Sequence, residues 1–526
     1  MRRYAQLLDA LMFSPRRNVK LAHVADWLKT TPHPDRGWGL AGLIGELSFP
    51  AVKAGVIRKL ASQTTDPTLF ELSYDFVGDL AETVALLWPD SDDISTELQL
   101  THYIQMLQAA NRKDAEEVLA GLLNQLAPSQ RWALLKMATG GMRVGVSARM
   151  ARLALAEAYA ADVAEIEEIW PLLTPPYDEL FDWLDGRAER PQAGGRAVFR
   201  PMMLAHPLDE DELTQHMLQD YQVEWKWDGA RIQLVSAEDG VKLFSRSGDD
   251  ISGAFPELVS NMSWKGVVDG EILAGTPQDI GSFNALQQRL NRKTASSKLR
   301  ASHPVFLRLY DILFCDDVDV RDLPLSERRQ VLKEQRPYID HEFFDISEQL
   351  DCQSLGQLEA LRQTCRNQGL IEGLMLKNKA SSYLAGRQKG HWFKWKRDPL
   401  TADLVVMYAQ RGHGKRSSFY SDFTFGAWRN TGTGDELVPV GKAYSGFTDA
   451  ELRRLDKFVR EHITARFGPV REVEAKLVIE VAFDSIHQSP RHKSGVAMRF
   501  PRFSAIRWDK PVDEADRLET LLSLVS

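Results

Sequence analysis

The chain has 526 residues, too many for one hydrophobic core, so we expect several domains. Hydrophobic residues make up 44% and charged residues 26%, as in soluble globular proteins, and no apolar run is long enough to span a membrane. The net charge of −8 means that any site for a polyanion must come from locally segregated charge.

The cysteines indicate the compartment. Cys315, Cys352 and Cys365 are odd in number and far apart, so they favour a reducing environment and cannot form a four-cysteine zinc site. Gln6 and Asp9 interrupt the start of the chain, which does not resemble a secretory signal. We therefore expect a cytoplasmic protein.

Residues 1–195 are predicted to form an all-α domain, because Leu and Ala recur at helical spacing in segments such as ARMARLALAEAYA. Residues 119–156 contain no acidic residue but do contain Lys136, Arg143 and Arg149. Within them, TGGMRVGVSARM predicts a helix end, a glycine turn and a new helix. Such a turn can bind a phosphate, although it is also an ordinary helix connection.

The pattern changes after the linker DGRAERPQAGGRAVFRP. Residues 196–398 combine short β-rich runs with helices and predict an α+β domain. Residues 399–526 contain short strand-like stretches and Gly-rich turns, which predict a small β-barrel with a basic turn at RGHGKR.

The segment EWKWDGAR in the middle domain has charged residues at alternate positions. Read as a strand, it places Trp225 and Trp227 on one face, where they would anchor a core. Glu224, Lys226 and Asp228 lie on the opposite face, which is either solvated surface or a pocket.

Four further segments, SRSG, VVDGEI, EGLMLK and HWFKWKRD, repeat this pattern. Each alone is more often solvated surface, but their accumulation in one domain favours an active site. Lys377 of EGLMLK has the opposite strand parity to Glu372 and needs a bulge or a turn to join it. The charged residues that these segments contribute are Arg246, Asp269, Glu271, Glu372, Lys394 and Lys396.

Other catalytic motifs are incomplete. RGHGKRSS has Arg416 where a P-loop requires Ser or Thr, and HEFFD lacks the second histidine of a zinc protease. The sequence has no nucleophile elbow and no dinucleotide-binding glycine pattern, which disfavours hydrolase and dehydrogenase functions.

The order KWDGAR, SRSG, VVDGEI, LRLYDILF, EGLMLK, WFKWK and RWDK resembles that of the covalent nucleotidyltransferases, which comprise DNA ligases, RNA ligases and capping enzymes. RFPRFSAIRWDK, FRPMMLAHP and the helical first domain are similar to ATP-dependent DNA ligases of the bacterial three-domain type. The resemblance covers the whole chain. It implies a helical DNA-binding domain, an adenylation domain and a C-terminal OB-fold.

The resemblance implies that the protein seals nicks in duplex DNA with ATP and with Mg²⁺ or Mn²⁺. Lys226 attacks the α-phosphorus of ATP, AMP then passes to the 5′-phosphate of the nick, and the 3′-hydroxyl displaces AMP. The implied partner is nicked double-stranded DNA, encircled by a monomer, with no membrane involved. RWDK is expected over the outer ATP phosphates during the first step, which requires a hinge near Asp398 and Pro399.

The resemblance also implies roles for individual residues. Glu224 contacts the adenine, Tyr310 stacks on the base, and Arg231 holds the ribose together with Glu271. The implied metal ligands are Glu372 and Glu271. The implied phosphate-binding residues are Arg246, Arg387, Lys394, Lys396, Arg507 and Lys510. The expected DNA-backbone contacts are Lys136, Arg143 and Arg149.

Three alternatives remain open at this stage. An RNA ligase or a capping enzyme is disfavoured by the long helical first domain. An inactive DNA-binding relative is disfavoured by the intact Lys226, Glu271 and Glu372. NAD-dependent ligation is disfavoured by the absence of zinc-binding cysteines.

Overall fold

The computed structural model describes residues 1–89, 98–215, 217–290, 292–365, 370–412, 418–432, 434–489 and 492–525. Most of the predicted basic turn RGHGKR lies outside these residues. No helix in the described ranges is long and apolar enough to cross a membrane.

The first part of the chain is helical, as predicted. The apolar helix faces share one core, in which Leu8, Leu40 and Leu134 have no exposed surface. The helices are α1 (Arg2–Phe13), α2 (Arg17–Thr30), α3 (Asp35–Ile44), α4 (Ala54–Thr64), α5 (Pro67–Val77), α6 (Leu80–Leu87), α7 (Leu100–Ala109), α8 (Ala115–Asn124), α9 (Pro128–Thr139), α10 (Ala148–Tyr159), α11 (Val163–Ile169) and α12 (Asp178–Leu184).

The turn predicted inside the acid-free segment is present between α9 and α10. Gly140 has a φ of 67° and ends α9, because glycine adopts the left-handed conformation without steric cost. Ser147 caps α10, where its hydroxyl accepts a hydrogen bond of 3.2 Å from the backbone N–H of Met150. The prediction of a helix end, a turn and a new helix is confirmed.

The middle part mixes strands and helices around two larger sheets, and a two-stranded sheet pairs Met203–Leu204 with Gly386–Arg387. One sheet has the order β5-β4-β6-β7-β8 with β9 beside β7, and the other has the order β2-β12-β10-β3. The elements are β1 (Met203–Leu204), β2 (His206–Pro207), α13 (Met217–Asp220), β3 (Tyr221–Trp227), β4 (Ala230–Ala237), β5 (Gly240–Ser245), α14 (Pro256–Ser260), β6 (Gly266–Ala274), α15 (Phe283–Leu290), α16 (Ser297–Ser302), β7 (Val305–Cys315), β8 (Val318–Asp319), α17 (Leu325–Glu334), β9 (Phe344–Ile346), α18 (Leu355–Thr364), β10 (Ile371–Asn378), β11 (Gly386–Arg387) and β12 (Trp392–Lys396).

The final part is rich in strands, as predicted. Its main sheet has the order β15-β14-β13-β17-β16, and β18 joins β13 to β21. Phe423, Phe425 and Phe483 are fully buried in its core. The elements are β13 (Leu400–Arg411), β14 (Tyr420–Asn430), β15 (Asp435–Ala443), α19 (Asp449–Glu461), β16 (Ile463–Phe467), β17 (Val470–Val473), β18 (Val478–Phe483), β19 (Ser485–Gln488), β20 (Val496–Arg499), β21 (Arg502–Arg507) and α20 (Leu518–Ser523).

The tryptophans of β3 differ from the prediction that both would anchor a core. Trp225 and Trp227 are half-buried, because β3 lies at the edge of its sheet. The ring of Trp227 instead lies 4.2 Å from the guanidinium carbon of Arg308. Phe393 and Trp395 of β12 are buried, as predicted.

Candidate active site

A cavity of about 400 Å³ opens between residues from both sheets of the middle part. It brings together most of the residues that the sequence singled out, which come from β3, β4, β6, β7, β10, β12 and the turn after β5. The predicted site residues that line it are Glu224, Lys226, Arg231, Arg246, Glu271, Tyr310, Glu372, Lys394 and Lys396.

Strand register explains why the lysines meet Glu372. Gly373 of β10 lies opposite Lys226 of β3 on one side and opposite Lys396 of β12 on the other. The β10–β3 register shifts between Ile371 and Gly373, so Glu372 lies in a bulge that turns its side chain. Gly373 has a φ of 150°, and a Cβ there would lie 2.2 Å from a backbone oxygen of the neighbouring strand. The glycine therefore permits the bulge.

Lys226 and Glu372 form an ion pair in which the lysine Nζ donates to the carboxylate Oε2. Lys396 lies 3.6 Å from the same oxygen. Burial alone would raise the pKa of Glu372, but Lys226 and Lys396 together lower that pKa to about 2. The carboxylate of Glu372 is therefore ionised at neutral pH.

A second ion pair closes the buried end of the cavity. Both carboxylate oxygens of Glu224 lie 3.1 Å from Nζ of Lys377, and the side chains of both residues are 2% exposed. Nζ of Lys377 also lies 4.2 Å from the ring centre of Tyr310 and 4.7 Å from that of Trp392. The sequence indicated no role for Lys377, although its strand parity correctly predicted a bulge, which lies at Glu372.

The guanidinium of Arg231 donates hydrogen bonds to acceptors within the protein. Its guanidinium donates to the carbonyl of Met203 at 2.6 Å and to Asp269 at 2.7 Å. The hydroxyl of Tyr383 also donates to Asp269, which has no exposed surface. Arg231 therefore fixes β1 and β6 beside the cavity.

The pKa of Glu271 is shifted in the opposite direction to that of Glu372. Burial raises the pKa of Glu271 to about 7, although Lys226 and Arg231 partly oppose the shift. Its carboxyl group therefore changes charge close to neutral pH.

Cationic side chains surround the open end of the cavity. Burial lowers the pKa of Lys394, and the positive charges of Arg387, Lys226, Lys396 and Arg246 lower it further. Arg246 and Lys394 line the cavity. Arg387 is not among the lining residues, but its positive charge lowers the pKa of Lys394. This concentration of positive charge suits a phosphate group.

A cleft of about 510 Å³ continues from the cavity toward the C-terminal part. Within it, Arg499 contacts both carboxylate oxygens of Asp228 at 2.7 and 2.5 Å. Arg499 was not among the predicted site residues, because nothing in the sequence around it indicates a distant partner.

Arg507 and Lys510 do not line the cavity in this conformation. Lys510 contacts Asp403 at 2.6 Å, and Arg507 contacts Glu480 at 3.4 Å. All four residues belong to the C-terminal part.

The three predicted DNA contacts have different environments. Arg143 is exposed in the turn before α10, with a φ of 41°. Arg149 is exposed on α10, and a Cβ added to Gly386 of β11 would lie 3.2 Å from its Nη2. Lys136 is 7% exposed and pairs with Asp79, so the prediction that it contacts DNA is corrected. The absence of acidic residues within the segment did not exclude a partner on another helix.

The comparisons with known proteins agree with this geometry. Residues 202–396 match the family model described as the ATP dependent DNA ligase domain, and residues 416–510 match the ATP dependent DNA ligase C terminal region. The chain is 32% identical to a probable DNA ligase of Koribacter versatilis, over 98% of this chain and 95% of the relative. It is 29% identical to a DNA ligase of Thermococcus onnurineus, over 97% and 94%.

A solved structure titled Pmar-Lig_PreS3 shares the fold, with a TM-score of 0.60, 15% identity and coverage of 96% of this chain and 99% of that chain. The family models and the Koribacter relative together cover the residues that form the cavity and the C-terminal part. The chain therefore belongs to the ATP-dependent DNA ligases, which join DNA strands by forming phosphodiester bonds.

Proposed function

We propose that this ligase seals nicks in duplex DNA and that Lys226 carries the AMP. The observation that best supports this assignment is the position of Lys226. Its Nζ lies in the cavity beside Glu372, and Lys394 and Lys396 line the same space. A nucleophilic amine surrounded by cations that can bind phosphate suits the transfer of a nucleotidyl group.

In the proposed first step, the unprotonated amine of Lys226 attacks the α-phosphorus of ATP. The bond from that phosphorus to its bridging oxygen breaks, and pyrophosphate leaves. The amine must first separate from Glu372. Lys394 and Lys396 stabilise the charge that develops on the phosphoryl oxygens, and the cavity fixes the line of attack.

Adenine is proposed to occupy the end of the cavity at Glu224 and Lys377, with the ring of Tyr310 against the base. Glu224 already accepts hydrogen bonds from Gln222 and Ser347 in addition to its pairing with Lys377. The carboxylate is therefore held in one orientation. Glu271 and Arg231 are proposed to hold the ribose, and Arg231, which lines the cavity, also holds Asp269.

The residues of the cavity fit a divalent cation such as Mg²⁺ or Mn²⁺. No group of three or more acidic, histidine or cysteine residues within the described ranges could hold a metal alone. This suits Mg²⁺, which takes one or two protein carboxylates and completes its coordination with phosphate and water. Glu372 and Glu271 would hold the ion, which would neutralise phosphate charge.

In the later steps, an oxygen of the 5′-phosphate at the nick attacks the α-phosphorus of the lysyl adenylate, and the phosphorus–nitrogen bond to Lys226 breaks. The 3′-hydroxyl then attacks the activated 5′-phosphorus, and AMP leaves. Arg246, at the open end of the cavity, is proposed to contact the nick phosphate, and Arg387 to add positive charge beside it.

We further propose domains at residues 1–195, 196–398 and 399–526, with the last an OB-fold. The monomer would encircle nicked DNA, and Arg143 and Arg149 would contact its backbone without reading base sequence. Arg507 and Lys510 would reach the outer phosphates of ATP only after the C-terminal domain turns. A cytoplasmic location is supported by three cysteines that form no disulfide in the structure.

A nick-sealing assay tests this proposal. A duplex with one 5′-labelled nick is incubated with the ligase and ATP, GTP or NAD, and the same duplex is built with an RNA strand. We expect sealing of the DNA nick with ATP alone. Sealing confined to RNA, or supported equally by GTP, contradicts the proposal.

A further inference from the structure

A second cavity, of about 660 Å³, lies beside α17 and β9. Its lining residues within the described ranges are all different from those of the cavity around Lys226. The basic side chains that line it are Arg329, Lys333, Arg336 and His341, and the acidic ones are Asp345 and Glu348.

The charges around this second cavity do not balance. Asp345 is already engaged by Arg308, whose guanidinium donates to it at 2.6 and 2.9 Å. Lys333 and Arg336 are exposed and form no ion pair with any described residue. Among the described lining residues, Glu348 is then the carboxylate left to offset Arg329, Lys333 and Arg336, so the lining carries an excess of positive charge.

Arg329 is the buried member of this group. It is 2% exposed, and its Nη2 donates to the carbonyl of Ser347 at 2.5 Å. Its Nε and Nη1 have no hydrogen-bond partner among the described residues. Both atoms are themselves buried, so an anion in the cavity would interact with the charge of this guanidinium rather than with these two N–H groups, and that interaction would offset part of the cost of burying the cation.

Ser347 links this cavity to the nucleotide cavity. Its carbonyl accepts the hydrogen bond from Arg329, and its hydroxyl donates to Oε2 of Glu224 at 2.8 Å. Glu224 lines the cavity around Lys226. A ligand that interacts with Arg329 is therefore separated from Glu224, the proposed adenine contact, by one residue, Ser347.

We propose that the second cavity binds a small phosphate-class oxyanion and that its occupancy changes the affinity of the ligase for ATP. Free phosphate and pyrophosphate share the required chemistry, because both offer several anionic oxygens to guanidinium and ammonium groups. The effect on ATP rests on the proposed function of Glu224, whereas the binding of the anion does not.

Calorimetric titration of inorganic phosphate into the full-length, AMP-free ligase at constant ionic strength tests the binding, and a parallel titration uses pyrophosphate. The variant Lys333→Ala/Arg336→Ala removes the two exposed cations. Lys298→Ala/Arg300→Ala on α16 removes the same charge elsewhere and serves as the control. Lys394→Ala reports on phosphate bound in the nucleotide cavity.

We expect the Kd for phosphate to rise roughly tenfold or more in Lys333→Ala/Arg336→Ala, because two charge-assisted interactions are lost. Binding should persist in the α16 control and in Lys394→Ala. Whichever of phosphate and pyrophosphate has the lower Kd is the source of the ligand. Wild-type binding by Lys333→Ala/Arg336→Ala, or loss of binding in Lys394→Ala alone, overturns the proposal.

The KM for ATP in covalent labelling measures the coupling. We expect phosphate to shift this KM in the wild-type ligase and in the α16 control, but not in Lys333→Ala/Arg336→Ala. An equal shift in all three proteins would show that phosphate competes directly at the nucleotide cavity, which overturns the coupling. Failure of the proposed Lys226 chemistry would abolish labelling while leaving phosphate binding measurable.

Discussion

Arg499 of β20 donates to both carboxylate oxygens of Asp228. Asp228 follows Lys226 by two residues, and Arg499 lies 271 positions further along the chain. The side chains of Arg499 and Asp228 are 20% and 12% exposed, so the pair is largely shielded from water. Arg507 and Lys510 pair within their own part instead. We interpret this arrangement as the one used after pyrophosphate has left.

Arg499→Ala should slow the sealing of a nick that already carries AMP by roughly ten- to a hundredfold, because a charge-assisted contact typically contributes about 1.5–3 kcal/mol. Covalent labelling from ATP should change much less, since the pair must open for Lys510 to reach ATP. Sealing and labelling are measured separately. Arg517→Ala, which removes an exposed ion pair with Asp435 in the same part, is the matched control. Equal losses in both reactions of Arg499→Ala would contradict this interpretation.

Lys510→Ala should show the reverse pattern. It should lose labelling from ATP, because Arg507 alone would not orient the leaving pyrophosphate, but still seal a pre-adenylated nick. Asp403→Asn removes the same ion pair while keeping the lysine, and should retain labelling. If Lys510→Ala damages both reactions equally, Lys510 acts through folding or DNA binding and the two-arrangement account fails.

Glu271→Gln should change how stability depends on pH. The pKa of Glu271 is raised to about 7 by burial, so the folded protein holds a proton that the unfolded chain releases at lower pH. The contribution of Glu271 to the stability of the wild-type protein therefore falls as pH rises toward about 7, and Glu271→Gln removes that loss. Thermal unfolding at about pH 5 and about pH 8 should show that the variant gains more stability relative to the wild type at the higher pH. A difference that is independent of pH contradicts the assignment.

Arg143→Ala/Arg149→Ala should weaken binding to nicked duplex and reduce the slope of log affinity against log salt by about one to two, because each phosphate contact contributes about one unit. Labelling from ATP should be unaffected. Lys298→Ala/Arg300→Ala controls for the change in net charge. A slope equal to that of the wild type would make the turn an ordinary helix connection.

Local pattern predicted much of the candidate site. Lys226, Glu271, Lys394 and Lys396 line one cavity, as expected. Strand parity accounts for Lys394 and Lys396, which share a face of β12, but not for β3, where Trp225 and Trp227 line the same cavity as Lys226. The same parity indicated the bulge at Glu372.

Relationships between distant segments were not predictable in this way. The burial of Lys136 depends on Asp79 of another helix region, and the contact of Arg499 with Asp228 depends on how two parts of the chain meet. The half-buried state of Trp227 follows from the position of β3 at a sheet edge, which alternation within one strand does not reveal.

Mass-spectrometric mapping of the AMP adduct tests the central claim most directly. The ligase is incubated with ATP and the divalent cation, quenched and digested, and the modified lysine is identified, with Lys226→Ala and Lys394→Ala treated in parallel. We predict the adduct on Lys226 in the wild type and none in a Lys226→Ala protein that keeps its wild-type melting temperature. An adduct on Lys394, Lys396 or any other lysine of folded Lys226→Ala, at a wild-type rate, would contradict the account.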